Sequence, residues 1–226
     1  MTGSTPKVTL YTLQNSQGFR ILWMLHHLSI PHTTVCIRRN KERSYPDLKA
    51  VHPLGKSPVL VVDGVVTAES RLCAAEVSSL RPERLRKEGE EARADGYYAE
   101  FSTATMTLDS MLCLIFDIAH TSAPRLLQPL VGVLVRPLVR FMGKEMHEPL
   151  KMMHGHLSSN EWFGGKSLGV SDFMMSWPID IVLHRGIIDL DDERWSNVGV
   201  WYRKITALES YQNALKEVGE QDLAHL

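Results

Sequence analysis

Four residues in the first third of the chain have the types and spacing of a site for a charged, extended ligand. Lys56 and Pro58 precede a strand pattern, and Glu69 and Ser70 open the helix that follows it. A proline at the mouth of a strand cannot donate to the sheet, and in the cis form it holds the preceding backbone out for a ligand. Free N–H groups at a helix start favour a carboxylate or phosphate. The pattern predicts a pocket for a peptide-like ligand with charged ends.

A β-hairpin must position these residues. Residues 59–62 and 65–67 are rich in β-branched side chains, and Asp63 and Gly64 separate them. An Asp-Gly pair between two such runs is a strong hairpin signal because both residues can take positive φ.

The segment before the hairpin has strand, helix and strand patterns. Residues 7–12 and 33–37 are rich in β formers, whereas Ile21, Leu25 and Leu28 recur at helical spacing. This order implies a parallel, right-handed crossover. With the hairpin and its helix, it is the element order of the thioredoxin-like fold.

Strand patterns stop after residue 70. A proline at position 82 ends the third helix, residues 83–94 form a charged helical face or linker, and the pattern from Gly96 onward is mostly helical. We therefore predict an α/β + all-α protein. A thioredoxin-like domain spans residues 1–82, and an all-helical domain spans residues 90–226.

Composition narrows the functional classes. The chain has 226 residues with 44% hydrophobic content, and its net charge of −1 leaves no electrostatic footprint for nucleic acid. Three widely spaced cysteines argue against a disulfide scaffold and favour a reducing compartment, and the first residues lack the apolar core of a signal peptide. We expect a cytoplasmic protein.

The most apolar later segment, residues 126–141, is interrupted by prolines and arginines. It is also shorter than the roughly 20 residues that a spanning helix needs. We predict no membrane span. Burial in a helical core is preferred over peripheral contact with a membrane surface.

Three stretches resemble a fungal and bacterial group of glutathione transferases. Residues 16–25 (SQGFRILWML) are similar to the start of the first helix, residues 52–60 (HPLGKSPVL) to the loop before the third strand, and residues 171–178 (SDFMMSWP) to the opening of the sixth helix. They cover both halves in the expected order. The resemblance implies a cytoplasmic homodimer that uses glutathione.

The resemblance also implies how the thiol of glutathione is activated. A thiolate is the reactive form, and each unit by which its pKa is lowered needs about 1.4 kcal/mol. Ser16, near the start of the first helix, is the candidate hydrogen-bond donor to sulfur, with a helix N-cap as its alternative role. Asn15 is the alternative catalytic donor, and Tyr11 is a weaker one.

Binding roles follow from the charges of glutathione. Lys56 is implied to pair with the glycine carboxylate. The backbone of Ser57, ahead of Pro58, is implied to exchange hydrogen bonds with the cysteinyl part. Glu69 is implied to accept the γ-glutamyl ammonium, while Ser70 and the helix N–H groups hold the neighbouring carboxylate.

The second substrate is expected to be a hydrophobic, electrophilic small molecule in a pocket between the two halves. Candidate contacts are Tyr11 on the first strand and Met106, Ser110 and Met111 on the first long helix of the second half. Methionines at helical spacing are more often core residues, and that alternative stays open.

We predict no metal site. The histidines and cysteines lack zinc-like spacing. His26 and His27 replace an acidic pair of the family, and we interpret them as a solvent-facing pair because adjacent helical residues point in different directions.

Two further departures from the family concern the helices. Gly169 occupies the position where the family has the Ser or Thr of a helix-capping box, although Asp172 can still bond back to the helix start. Residues 71–97 are shorter than the corresponding family segment, in a region that shapes the subunit interface.

Three functions stay open. The first is conjugation of glutathione to an electrophilic carbon. The second is a glutathione-dependent cis/trans isomerase, for instance in a biosynthetic pathway, which needs the same thiolate. The third is a non-catalytic binding or scaffold protein on the same fold.

Overall fold

The computed structural model describes residues 5–40 and 45–219, apart from three side chains on one helix. The strands and helices of the first half follow the predicted order: β1 Val8–Leu13, α1 Phe19–His27, β2 His32–Ile37, α2 Pro46–Val51, β3 Val59–Val62, β4 Val65–Ala68 and α3 Ser70–Leu80.

The helices after α3 are α4 Pro82–Leu85, α5 Gly89–Phe101, α6 Thr107–Thr121, α7 Gln128–Glu145, α8 His147–Leu157, α9 Val170–His184, α10 Ser196–Ala207 and α11 Glu209–Val218. A π-helical turn joins α5 to α6, and a 3₁₀ turn precedes α10.

The four strands form one mixed sheet in the order β2-β1-β3-β4. β1 pairs with β2 in parallel and with β3 antiparallel, and β3 pairs with β4 across the hairpin. Asp63 and Gly64 both have positive φ, 49° and 86°, as the hairpin signal requires. The thioredoxin-like α/β region followed by an all-helical region confirms the predicted fold class.

The described residues divide into two compact units between Arg86 and Lys87, and the first unit also takes in the residues from Thr206 onward. Helix α11 packs on α1 within that unit: the rings of Phe19 and Tyr211 meet edge to face at 5.0 Å, and Trp23 Nε1 donates to Ser210 Oγ at 3.1 Å. The sequence division at residues 90–226 did not anticipate this placement, because helical periodicity does not identify which unit a helix packs on.

The pair His26 and His27 is not solvent-facing, which corrects that interpretation. Both side chains are partly buried and contact α11, His26 through Glu217 and His27 through Ser210. Their rings do point to different partners, as expected of adjacent helical residues.

The start of α9 is capped by two carboxylates in the second unit. Asp172 accepts the N–H of Gly169 at 2.8 Å, as predicted. Asp95 from α5 accepts the N–H and the hydroxyl of Ser171 at 2.8 and 2.6 Å. A Cβ on Gly169 would lie 2.2 Å from Asp95 Oδ1. Asp95 therefore occupies the space that a Ser or Thr side chain would need.

Helix α7 is largely exposed, which corrects the expectation that residues 126–141 are buried in a helical core. The apolar side chains of Leu130, Val133 and Leu134 are 64%, 71% and 67% exposed, so this segment does not fill a core within its unit. In the described parts of the chain, no helix has both the length and the apolar character to cross a bilayer.

Candidate functional site

A small depression on the first unit collects the predicted ligand-binding residues. It lies where the loop before β3 meets the start of α3, and the peptide bond between Ser57 and Pro58 is cis. Its lining consists of Gln17, Leu54, Lys56, Ser57, Pro58, Ala68 and Glu69. Four of the five predicted binding residues therefore share one concave surface.

Three hydroxyl groups cluster beside this depression. Ser16 Oγ lies 3.0 Å from Ser57 Oγ and 3.3 Å from Thr12 Oγ1, and Thr12 Oγ1 lies 3.2 Å from Ser57 Oγ. All three residues are buried. The cluster links the end of β1, the turn before α1 and the loop before β3.

Two backbone N–H groups donate hydrogen bonds to hydroxyl oxygens of the cluster. The N–H of Leu13 donates to Ser57 Oγ at 3.1 Å, and the N–H of Gly18 donates to Ser16 Oγ at 3.2 Å. Ser16 itself lies three residues ahead of α1, whose N-cap is Gly18 with no side-chain cap. The alternative role of Ser16 as the helix N-cap is therefore wrong.

The hydroxyl groups of this cluster lie so close to position 18 that the residue there must be glycine. A Cβ there would lie 2.1 Å from Thr12 Oγ1 and 2.7 Å from Ser57 Oγ, well inside van der Waals contact. Any larger residue would push the hydroxyl groups apart.

Gln17 lines the depression and is hydrogen-bonded to Arg20. Arg20 Nη2 donates to Gln17 Oε1 at 2.7 Å, which turns the Gln17 amide nitrogen toward the Ser57 carbonyl, 3.5 Å away. Arg20 is 1% exposed, and burial lowers its pKa to about 9. A guanidinium on the first turn of α1 adds positive electrostatic potential near the depression.

The charged ends of the depression differ in sign. Lys56 and Glu69 are exposed, and Glu69 stands at the N-cap of α3 with φ 73°. Ser70 begins that helix, and its buried hydroxyl has no hydrogen-bond partner among the described residues. The helix start thus combines a carboxylate, a hydroxyl and free N–H groups, a set that fits an amino acid head group.

Comparisons with known proteins relate this chain to the glutathione S-transferases. The family model for the N-terminal domain of glutathione S-transferases matches residues 16–80, which include Ser16 and Ser57 of the hydroxyl cluster, the depression and α3. Glutathione S-transferase 3 of Schizosaccharomyces pombe is 27% identical over 220 residues, covering 96% of this chain and 90% of the relative. Residues 16–80 therefore match a glutathione S-transferase N-terminal domain, and the chain as a whole is similar to glutathione S-transferases.

Solved glutathione S-transferases share the fold along nearly the whole chain. A glutathione S-transferase from Actinobacillus pleuropneumoniae has a TM-score of 0.72 at 22% identity, covering 97% of this chain and 96% of the other. A theta-class glutathione S-transferase from Xanthomonas axonopodis, solved with glutathione bound, has a TM-score of 0.70 at 15% identity, covering 92% and 97%.

The three cysteines of the chain are poor nucleophiles. Burial raises the pKa of Cys73 to about 12 and that of Cys113 to about 11, and burial also raises the pKa of Cys36. All three are free thiols. Since the thiolate is the nucleophile, these residues are unsuited to provide one near neutral pH.

The residues predicted to contact the second substrate differ in how deeply they are buried. Met106 and Ser110 are fully buried, and the Ser110 hydroxyl donates to the Thr107 carbonyl at 3.0 Å, which favours a core role for both. Met111 is partly buried and packs beside Leu114 and Trp177. Their contact with a substrate stays a prediction.

The remaining predicted site residues lie in the first unit. Tyr11 is partly buried and packs against the apolar cluster of Leu13 and Tyr45. Asn15 has a φ of 52°, and its carbonyl accepts a hydrogen bond from Arg39 Nη2 at 2.9 Å. The catalytic assignment to Ser16 or Asn15 stays a prediction.

Sequence reasoning missed Thr12, Gln17, Gly18 and Arg20. Gln17, Gly18 and Arg20 fall inside the stretch whose resemblance was recognised, so their position beside Ser16 was the available signal. Thr12 carried no local signal, because its contact with Ser57 depends on strand pairing across 45 residues.

Proposed function

We propose that this protein is a glutathione transferase that joins the glutathione thiolate to an electrophilic carbon of a hydrophobic small molecule. The observation that carries the proposal is the depression in which Lys56, Ser57, Pro58 and Glu69 meet beside the hydroxyl of Ser16. The match of residues 16–80 to the glutathione S-transferase N-terminal domain and the glutathione bound to the structurally similar Xanthomonas protein support it.

Glutathione would lie extended, with its charged ends held apart. Lys56 pairs with the glycine carboxylate, and the Ser57 backbone exchanges hydrogen bonds with the cysteinyl residue. Glu69 accepts the γ-glutamyl ammonium, and Ser70 with the first N–H groups of α3 holds the adjacent carboxylate. The unpartnered Ser70 hydroxyl supports this assignment.

Thiol activation would use the polarity of the hydroxyl cluster. Thr12 can donate to the Leu13 carbonyl at 3.3 Å, and Ser57, which already accepts from the Leu13 N–H, can donate to Ser16 at 3.0 Å. In this arrangement the Ser16 hydrogen remains for the sulfur of glutathione. A chain of hydrogen bonds polarises its terminal donor, which favours the thiolate and lowers the thiol pKa.

The reaction itself is a nucleophilic addition. The thiol proton leaves to solvent, the thiolate forms a carbon–sulfur bond with the electrophile, and an addition product takes up one proton. The residues of this chain hold the tripeptide and the anion, while the raised pKa values of its cysteines argue that the nucleophile belongs to the bound tripeptide.

The test is turnover with glutathione and a panel of conjugated carbonyl compounds, followed by mass spectrometry. Conjugation consumes glutathione and adds its mass to the product. Unconsumed glutathione with an unchanged substrate mass would indicate isomerisation instead. Absence of turnover, with association to another protein, would favour a scaffold.

A cytoplasmic homodimer is part of the proposal. Free thiols at all three cysteines suit a reducing compartment. Exposed apolar side chains, such as Leu72 on α3 at 59% and Val133 on α7 at 71%, offer surface for a second subunit. Light scattering at micromolar protein concentration, which gives the molar mass in solution, tests the dimer.

A further inference from the structure

His26, His32 and Glu217 form a cluster separate from the lining of the glutathione depression. They come from α1, the first residue of β2 and α11, all within the first unit. One ligand atom of each residue lies within 4.8 Å of the other two. We propose that this cluster is a Zn²⁺ site with two imidazole ligands and one carboxylate ligand.

The interatomic distances fit a metal of this size. His26 Nε2 lies 2.7 Å from Glu217 Oε2, and His32 Nε2 lies 3.6 Å from the same oxygen. In tetrahedral zinc sites with bonds of about 2.0–2.1 Å, neighbouring ligand atoms are about 3.3 Å apart. The two observed distances lie on either side of this value and the third pair of ligand atoms lies within 4.8 Å, so binding the ion requires the His26–Glu217 contact to widen by about 0.6 Å.

The tautomer of His32 is set for metal binding. Its Nδ1 lies 2.7 Å from the Ile30 carbonyl oxygen. A carbonyl only accepts, so Nδ1 carries a hydrogen, and in the neutral imidazole the lone pair is then on Nε2, the nitrogen that faces Glu217. An imidazole held by a backbone carbonyl on one nitrogen, with the other nitrogen directed at the ion, is a regular feature of zinc sites.

The surroundings leave room for a fourth ligand. The side chains of His26, His32 and Glu217 are 22%, 9% and 32% exposed. The rings of the two histidines stand nearly perpendicular, 89°, with centroids 5.1 Å apart. Three protein ligands at a partly open surface match zinc sites in which water completes the coordination.

Bound zinc would join three segments that are distant in sequence. α11 returns to α1 and β2 from the far end of the chain, and the ion would add one attachment near its last turn. Binding to the folded state alone raises stability by mass action. The proposal replaces the prediction of no metal, which considered His26 only beside His27 and missed the contribution of β2 and α11.

The experiment uses tag-free, chelator-treated protein without glutathione, so that its outcome is independent of the proposed transferase activity. Equilibrium dialysis against ZnCl₂ with elemental analysis measures uptake, and thermal unfolding measures stabilisation. We expect one Zn²⁺ per chain and, at about 100 times the dissociation constant, a rise in Tm of about 5 °C or more.

Variants locate the ion. H32N and E217Q should each weaken zinc binding at least about tenfold. H27N is the matched control, because His27 is adjacent to His26 on α1 but bonds to Ser210; its zinc affinity should equal that of the unaltered protein. Absence of saturable uptake by the unaltered chain, or equal uptake by E217Q and the control, would overturn the proposal.

A second measurement needs no variant and so does not depend on a variant folding. X-ray absorption spectroscopy of the zinc-loaded protein counts imidazole ligands directly. Two imidazoles with oxygen ligands at about 2.0–2.1 Å are expected. One imidazole, three imidazoles or a sulfur ligand would overturn the assignment.

Discussion

Ser16 Oγ and Ser57 Oγ lie 3.0 Å apart, which joins the turn before α1 to the loop that carries the cis proline. This hydrogen bond connects the candidate thiol-activating group to the candidate binding edge. The position of one is therefore set by the other, and Gly18 permits the contact because it has no side chain.

Replacing Ser16 with Ala should reduce catalysis more than glutathione binding. Loss of the terminal hydroxyl removes the donor to sulfur, and a rise of one unit in the pKa of bound glutathione corresponds to about 1.4 kcal/mol. We expect kcat/KM at neutral pH to fall about tenfold or more, with its pH profile displaced to higher pH. Steady-state kinetics across pH measures both.

Asn15→Gly is the control for Ser16→Ala. Glycine accepts the φ of 52° at position 15 without strain, so this variant removes the amide and keeps the turn. Activity of N15G should stay near that of the unaltered protein. If N15G loses activity while S16A keeps it, Asn15 is the thiol-activating residue.

The carboxylate of Asp95 should be coupled energetically to Gly169. Asp95→Ala removes the acceptor for the Ser171 N–H and hydroxyl and should cost about 1–3 kcal/mol. Gly169→Ser introduces a Cβ that collides with Asp95 Oδ1 and should also destabilise. In the double variant the collision with Asp95 is removed, while Gly164 Cα still lies 3.0 Å from the added Cβ. Its loss of stability should therefore be smaller than the sum of the two single losses.

Urea unfolding of the three variants gives this coupling as a double-mutant cycle. Glu91→Gln is a suitable reference, because Glu91 is an acceptor on the same helix but only for the exposed N–H of Lys166, 3.3 Å away. Additive losses would show that the two positions do not share one capping site.

Asp180 should make stability fall as the pH rises toward neutral. Burial raises its pKa to about 7, while the Tyr202 hydroxyl, 2.7 Å from Oδ1, acts in the opposite direction. The folded protein then binds this proton more tightly than the unfolded chain, so stabilisation is lost between about pH 4 and pH 7. Asp172, raised to about 6, acts in the same sense.

Asp180→Asn removes the titration and keeps an acceptor for Tyr202. Between pH 5 and pH 8 the free energy of unfolding of the unaltered protein, relative to the variant, should fall by about 2–3 kcal/mol. Urea unfolding at the two pH values measures it. An equal difference at both values would mean that the carboxyl group does not change its charge in this range.

Local signals predicted the hairpin and the start of α3. The Asp63-Gly64 turn and the β-branched runs on either side of it specify the hairpin within a few residues. Pro58 precedes the hairpin, and Glu69 and Ser70 follow it, so their places in the fold could be predicted as well. The α/β then all-α order followed from the change of periodicity.

Long-range packing was beyond the sequence. Thr12 meets Ser57 only through the pairing of β1 with β3, and Asp95 reaches α9 across 76 residues. The packing of α11 on α1 and the exposure of α7 likewise depend on partners that periodicity does not specify. For the same reason His26 was judged without His32 and Glu217.

Isothermal titration calorimetry with glutathione tests the central claim most directly. The unaltered protein should give saturable heat at millimolar glutathione or below, and Glu69→Gln should weaken binding about tenfold, or 1.4 kcal/mol, because it removes the carboxylate that accepts the γ-glutamyl ammonium. Glu83→Gln, an exposed change on α4, should have no effect. No saturable heat at millimolar glutathione, or equal affinity in E69Q, would contradict the account.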